Sequence, residues 1–338
     1  MAKVGVIGAG GWGTALSVLL AQNQHEVTLW SIVDAEVQML NEYREQKEKL
    51  PGVILPESVQ VTGDLEASVK GMDLVVLAVP SVYIRSTAAS CAPYVAKGQV
   101  VLNVAKGIEE ATLMPMADVI EQEIPQADVA VMSGPTHAEE VGIGMPTTIV
   151  VGAKSRQTAA FIQNIFMNER FRVYISSDML GIELGGSLKN VVALAAGIAD
   201  GLGYGDNTKA ALITRGLAEI TRLGIAMGGR AETFGGLTGM GDLIVTCASV
   251  HSRNRRAGYL IGQGYTCEQA MAEVKMVVEG VYSARAAIML GRRYDVRLPI
   301  IEEVNAVLFE GRSAREAVSN LMLRDKRVAY PVVDWNRP

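Results

Sequence analysis

The chain has 338 residues, 49% of them hydrophobic and 20% charged, which is the composition of a folded globular protein of about two domains and too apolar for a disordered one. Its 35 glycines follow no repeat period, which excludes a collagen-like fibre, and 31 basic against 36 acidic residues leave a net charge of −5, which argues against a broad nucleic-acid surface. Cys91, Cys247 and Cys267 are odd in number and widely spaced, so they form no disulfide framework or metal cluster and fit a reducing cytoplasm.

In the first half, apolar runs at 3–8, 26–30, 73–79, 99–104, 128–133 and 146–152 read as strands. Several are apolar on successive residues, as strands covered on both faces of a parallel sheet are. Between the first two, Trp12, Leu16, Leu19 and Leu20 recur at helical spacing. The pattern predicts right-handed βαβ crossovers and a doubly wound, Rossmann-like α/β sheet. From about Asp178 onward the periods are helical. Ser177 and Asp178 are good N-cap residues for a first helix, and Ala210, Ile213, Leu217, Ile220 and Leu223 form one stripe of a second. Further helices are expected over 266–275, 280–291, 299–308 and 313–323, the last opened by a Ser313–Glu316 capping box. The expected division is a dinucleotide-binding domain over 1–188 and an all-α, substrate-binding C-terminal domain over 189–338. The apolar run 191–199 is halted by Asp200, so no membrane span is expected.

The first strand runs into Gly8-Ala9-Gly10-Gly11-Trp12-Gly13, a GxGxxG that opens a helix. Gly8 allows the tight turn, Gly10 lets backbone N–H groups approach a pyrophosphate, and Gly13 lets helix and strand pack closely. The acid that reads an NAD ribose belongs about 20 residues later. Here Leu29-Trp30-Ser31-Ile32-Val33-Asp34 puts neither an acid nor an Arg at the strand tip, and Asp34 reads as a helix N-cap. The choice between NAD and NADP stays open.

Two strand ends face the edge where open α/β sheets bind ligands. One carries Lys106 and Gly107, the other Ser133-Gly134-Pro135-Thr136. In the helical half, Lys189 interrupts an apolar helix. A buried lysine loses affinity for its proton and comes into the range of a general acid–base, whereas a snorkelling one does not. Asp242, in a Gly-rich turn, is a candidate to orient it. Ser252-Arg253-Asn254-Arg255-Arg256 is a compact basic cluster suited to phosphate, with Arg255 and Arg256 on a solvated helix face. Val277 and Glu279 precede a helix that Glu279 could simply cap. His25, His137 and His251 have no metal-ligand spacing, and His137 sits in the ligand-edge loop.

GAGGWGTAL, VAKGIE, SGPTHAEEV, LKNVVALAAGIADGLGYGDNTKAALITRG, GLTGMGDLIVTC and SRNRR, in this order along nearly the whole chain, resemble the NAD(P)-dependent sn-glycerol-3-phosphate dehydrogenases of bacterial type. The resemblance implies a homodimer that reversibly reduces dihydroxyacetone phosphate and feeds glycerophospholipid synthesis. It makes Lys189 the proton donor and acceptor, and Lys106, Gly134, Thr136, Asp242, Ser252, Arg253 and Asn254 substrate contacts. Lys106 and Arg253 also approach the cofactor, with Gly8, Gly10, Gly11, Trp12, Gly13, Ile32, Ala138, Val277 and Glu279. Relatives usually carry Ser at the Gly11 position, Arg or His at Ile32, and Ser-Phe in place of Thr136-His137. Ile32 thus removes the cation expected to favour NADP. The rival readings are a related reductase of unphosphorylated hydroxy acids, a non-catalytic dinucleotide sensor, and nucleic-acid binding through SRNRR, against which the net charge and the absence of interleaved aromatics speak.

Overall fold

A computed structural model describes residues 1–325; the end of the expected helical domain, 326–338, lies outside the described residues. Eight strands, β1 (Lys3–Ile7), β2 (Glu26–Trp30), β3 (Gln60–Thr62), β4 (Leu74–Leu77), β5 (Val100–Asn103), β6 (Asp128–Ser133), β7 (Thr147–Ala153) and β8 (Phe171–Ser176), form one sheet in the order β3-β2-β1-β4-β5-β6-β7-β8. The order reverses between β1 and β4, which is the switch point of a doubly wound fold. Around the sheet lie α1 (Gly11–Gln22), α2 (Asp34–Tyr43), α3 (Leu65–Val69), α4 (Ile84–Cys91), α5 (Met116–Glu123), α6 (Ala138–Gly142) and α7 (Arg156–Phe166).

Period-two geometry explains why the strands read as unbroken apolar runs. Leu74 and Val76 enter the core on one face of the sheet, and Val75 and Leu77 enter the core on the other. All six expected strands form, and two more flank them. β3 is three residues long, too short for a pattern; β8 alternates buried Phe171 and Val173 with exposed Arg172 and Tyr174. β7 departs from the parallel arrangement, running antiparallel to β6. The connection between them is short and holds only the five-residue α6, which packs on α1 instead of crossing back over the sheet. The chain therefore re-enters from the end it left. Asp34 is the first residue of α2, not its cap, and Val33 holds the cap position without a side-chain bond.

The remaining helices are α8 (Met179–Gly201), α9 (Asp206–Ala226), α10 (Ala231–Gly235), α11 (Asp242–Ala248), α12 (Arg253–Gly262), α13 (Cys267–Val274), α14 (Glu279–Arg293), α15 (Pro299–Phe309) and α16 (Ala314–Met322). Helix α8 is their axis. It is buried without a break from Gly181 to Ala199, packing on β6 and β7 at its start and on α9, α12 and α14 further along. Among the described residues it is the one helix long and apolar enough to cross a membrane, and its apolar stretch lies wholly inside the protein. Asp178 caps it by accepting from the Gly181 N–H at 2.9 Å, while its other oxygen accepts from the Arg230 N–H at 2.9 Å and the Thr233 hydroxyl at 2.6 Å. Residue 188, the expected domain limit, falls inside this helix.

The stripe of α9 reaches the core only in its second half: Ile220 and Leu223 are buried, Ile213 and Leu217 half-buried, and Ala210 exposed. Ser313 accepts from the Glu316 N–H at 3.2 Å as the N-cap of α16. The complete reciprocal box is at Thr266 and Gln269, opening α13.

Candidate active site

The glycine turn is built as its spacing requires. Gly8 adopts φ +119°, a conformation side chains rarely take, and its N–H donates to Trp30 O at 2.9 Å, tying β1 to β2. A Cβ on Gly13 would stand 1.9 Å from Gly8 O, so the start of α1 can lie against the strand end only without one. Gly10 is the N-cap of α1, and a Cβ there would meet nothing within 4 Å. Among the described residues no side chain caps α1, which leaves its first N–H groups for an anionic ligand. This cradle fits the pyrophosphate of a dinucleotide.

Gly11 and Trp12 form the first turn of α1, with Trp12 packed on the sheet core, and Ala138 at the start of α6 stands beside Gly11. The loop after α2 closes over the turn, with the buried Gln46 donating to Ala9 O at 2.9 Å. Ile32, at the tip of β2, is 80% exposed. Beside it Glu36 accepts from the Ser31 hydroxyl at 2.7 Å and from the Lys49 ammonium.

At the carboxyl ends of β5 and β6 lies the charged centre. Lys189 of α8, 5% exposed, donates to Asp242 Oδ1 at 2.7 Å and to the Thr246 hydroxyl. Lys106 donates to Asp242 Oδ2 at 2.8 Å and to Gly134 O at 3.0 Å. One buried carboxylate thus bridges two ammonium groups. Asp242 opens α11 directly after the π-helical turn Leu237–Gly241, and Thr246, four residues on, lies on the same helix face. The turn approaches α8 so closely that a Cβ on Gly185 would stand 2.7 Å from Thr238 O. Burial pushes Lys189 down to about 8, helped by the Lys106 charge and opposed by Asp242. An amine in this range both holds and releases a proton near neutrality.

The SRN segment joins the centre through Asn254, whose amide donates to Asn190 Oδ1 at 3.0 Å and whose oxygen accepts from the Gly280 N–H at 2.8 Å. Ser252 is the N-cap of α12, accepting from the Arg255 N–H at 3.2 Å. Thr136 donates to Gly134 O at 3.1 Å. Arg253 is exposed, and its guanidinium forms no hydrogen bond or ion pair among the described residues. Arg255 is not on a solvated face: it pairs with Asp200 at 2.7 Å, and Lys209 joins the same carboxylate at 2.9 Å. Glu279 does more than start α14, because it accepts from the Ser81 N–H at 3.0 Å and from the Ser81 hydroxyl across the cleft. Burial holds its carboxyl above the usual range. Val277 is half-buried in the segment leading to it.

Lys106, Gly134, Lys189 and Asp242 are therefore in direct contact, and Asn254 joins through Asn190. Ile32 stands apart. Thr246, Asn190, Ser81, Gln46 and Lys49 escaped the sequence reading. The four-residue step from Asp242 could have pointed to Thr246, and adjacency to Lys189 to Asn190; the others carry no local signal.

Profiles of the NAD-dependent glycerol-3-phosphate dehydrogenase N-terminus and C-terminus match residues 3–159 and 178–319. A protein of Agathobacter rectalis named glycerol-3-phosphate dehydrogenase (NAD(P)+) is 64% identical over 335 residues, covering 99% of this chain and all of the relative. One of the same name from Bacillus subtilis is 50% identical over 329 residues, 96% of this chain and 95% of the relative. The crystal structure of glycerol-3-phosphate dehydrogenase from Coxiella burnetii superposes with a TM-score of 0.92 at 34% identity, covering 96% of this chain and 99% of that one. With both halves matched in order and full-length relatives at this identity, the chain belongs to the NAD-dependent glycerol-3-phosphate dehydrogenase family.

Proposed function

We propose that the chain interconverts dihydroxyacetone phosphate and sn-glycerol 3-phosphate, using NAD or NADP and supplying glycerophospholipid synthesis. The observation that carries this reading is the buried Lys189 amine, held by Asp242 and Thr246 at the sheet edge that also presents the nucleotide cradle. A nicotinamide cofactor, when bound, would supply the hydride for C2. Gly8, Gly10, Gly11, Trp12 and Gly13 would hold its phosphates and Ala138, Val277 and Glu279 flank it, with Ile32 at the adenosine end. As the C2 carbonyl becomes an alkoxide, Lys189 gives its proton to that oxygen, and in the reverse direction takes it back. Lys106 holds the carbonyl in line, fixed by Asp242 and Gly134 O. Arg253 and the Ser252 hydroxyl hold the phosphate, Thr136 lines the substrate site beside Gly134, and Asn254 keeps the Ser252–Arg253 segment on α8 and α14.

All three cysteines are buried and unbridged, which supports the expected reducing, cytoplasmic setting. The homodimer implied by the resemblance belongs to the same reading, and sedimentation at assay concentration checks it.

Steady-state reduction of dihydroxyacetone phosphate with NADH and NADPH in parallel tests the function. Turnover is expected with at least one, and Lys189→Ala should lower kcat by at least about a hundredfold. Arg253→Ala should act chiefly on KM. Absence of turnover with either cofactor, or near-normal kcat in Lys189→Ala, overturns the reading.

A further inference from the structure

We propose that His137 is a specificity-determining residue of this site, whose imidazole hydrogen-bonds the free hydroxyl of the bound substrate at the carbon opposite the phosphate. This assignment rests on dihydroxyacetone phosphate being the substrate. His137 occupies the cap position of α6, yet its side chain caps nothing. Neither ring nitrogen has a hydrogen-bond partner among the described residues, and Nε2 is shut off from water. A buried polar nitrogen left unpaired is costly, by about 1–3 kcal/mol, and one beside a reaction centre calls for a ligand to pair with it.

The surroundings decide what kind of ligand group that is. The ring lies at 5.9 Å from the ring of His251, the residue that leads into Ser252 and Arg253, so it stands where the charged centre meets the SRN segment. The charges acting on it come from every side: Lys189 of α8, Lys106 past β5, Asp242 of α11 and Glu139 of its own helix. Burial and the two ammonium groups lower its pKa, so the ring is neutral near pH 7 and carries one N–H donor and one acceptor. The anionic phosphate is served by Arg253 and needs no neutral ring. A hydroxyl, itself donor and acceptor, is the complementary partner. Torsion about the Cβ–Cγ bond is broad, so a small rotation turns either nitrogen toward it.

A site that pairs with a substrate hydroxyl discriminates strongly against an analogue lacking it. Hydroxyacetone phosphate keeps the ketone and the phosphate and replaces that hydroxyl by hydrogen. The measurement is the ratio of kcat/KM for dihydroxyacetone phosphate to that for hydroxyacetone phosphate, a ratio that does not depend on the folded fraction of a preparation. Wild-type enzyme should favour the hydroxylated ketone. His137→Phe, which keeps a ring against His251, should shrink the ratio by at least about tenfold, or about 1.4 kcal/mol. His137→Met should do the same, and His137→Gln, with an amide in similar reach, should restore most of it. An unchanged ratio in the Phe and Met variants overturns the assignment, as does an equal loss on both ketones, which would place the ring on the shared phosphate or in packing alone. If wild-type enzyme reduces neither ketone, the substrate reading fails instead.

Discussion

Asp242 is the residue on which the chemistry of the cleft turns, because it is the only carboxylate bonded to either Lys106 or Lys189 among the described residues. Burial disfavours the charged form of Lys189, and an Asp242 shared with the Lys106 ammonium offsets this only in part, so Lys189 settles at about 8 instead of the ordinary lysine range. A proton donor must hold its proton before the step. Reduction should therefore be fast below about pH 8 and fall above it, whereas oxidation of glycerol 3-phosphate, which needs the free amine, should rise through the same range. Asp242→Asn removes the countercharge, so both limbs should move to lower pH, as kcat profiles in the two directions will show. Profiles that stay in place would separate Asp242 from the amine. The same variant leaves the buried Lys189 ammonium without its carboxylate and should cost about 3–5 kcal/mol of stability. Lys106, Lys189 and Asp242 were legible in the sequence for one reason each: a lysine just past a buried strand, a lysine inside an apolar helix, and an acid framed by glycines. Ser81 and Gln46 were not, since a serine after Pro80 and a glutamine in a loop become partners only when β4 faces α14 and the loop folds over β1.

At the scale of elements, α8 explains both what was readable and what was not. Its largely apolar sequence, interrupted only by Glu183, Ser187, Lys189 and Asn190 before Asp200, marks a buried helix, but a sequence cannot say against what it is buried. The answer is two bodies at once, which is why a limit placed at residue 188 divides a continuous helix. Strands covered on both faces announced themselves by composition; the edge strand β8 showed only alternation, and the direction of β7 depended on where α6 packs. Glu183 shows how α8 is held. Its Oε1 accepts from the Asn103 amide at 3.0 Å and from the Ala117 N–H at 2.9 Å, fixing the helix to β5 and to the start of α5. Burial pushes the Glu183 carboxyl up to about 8 from its ordinary 4.5. Between those values the folded protein keeps a proton that the unfolded chain has released, so this group makes stability fall as pH rises, by about 1.4 kcal/mol per pH unit. Glu183→Gln keeps an acceptor oxygen and removes the titration. Its Tm should decline less than that of wild type between about pH 5 and about pH 8; parallel declines would show that Glu183 does not bind this proton.

For the whole molecule, the cleft is a consequence of two cores that share one helix. Ile182, near the start of α8, belongs to the core on one face of the sheet, and Leu194 belongs to the core of the helical body. The cradle and Lys106 ride on the first body, Asp242 and Arg253 on the second, and Lys189 lies on the shared helix between them. Reacting groups supplied by two loosely jointed domains would drift by more than proton transfer tolerates; a common helix removes that freedom. It also makes folding of the two bodies interdependent. Ile182→Ala and Leu194→Ala each empty a fully buried site and should cost about 2–5 kcal/mol. If the bodies form one cooperative unit, either substitution should lower the hydrogen-exchange protection of β5 and of α14 by the same amount, though each touches only one core. Loss confined to the body carrying the substitution would show that α8 packs against both without coupling them, and the alignment of Lys189 with the cradle would then have to come from the ligands themselves.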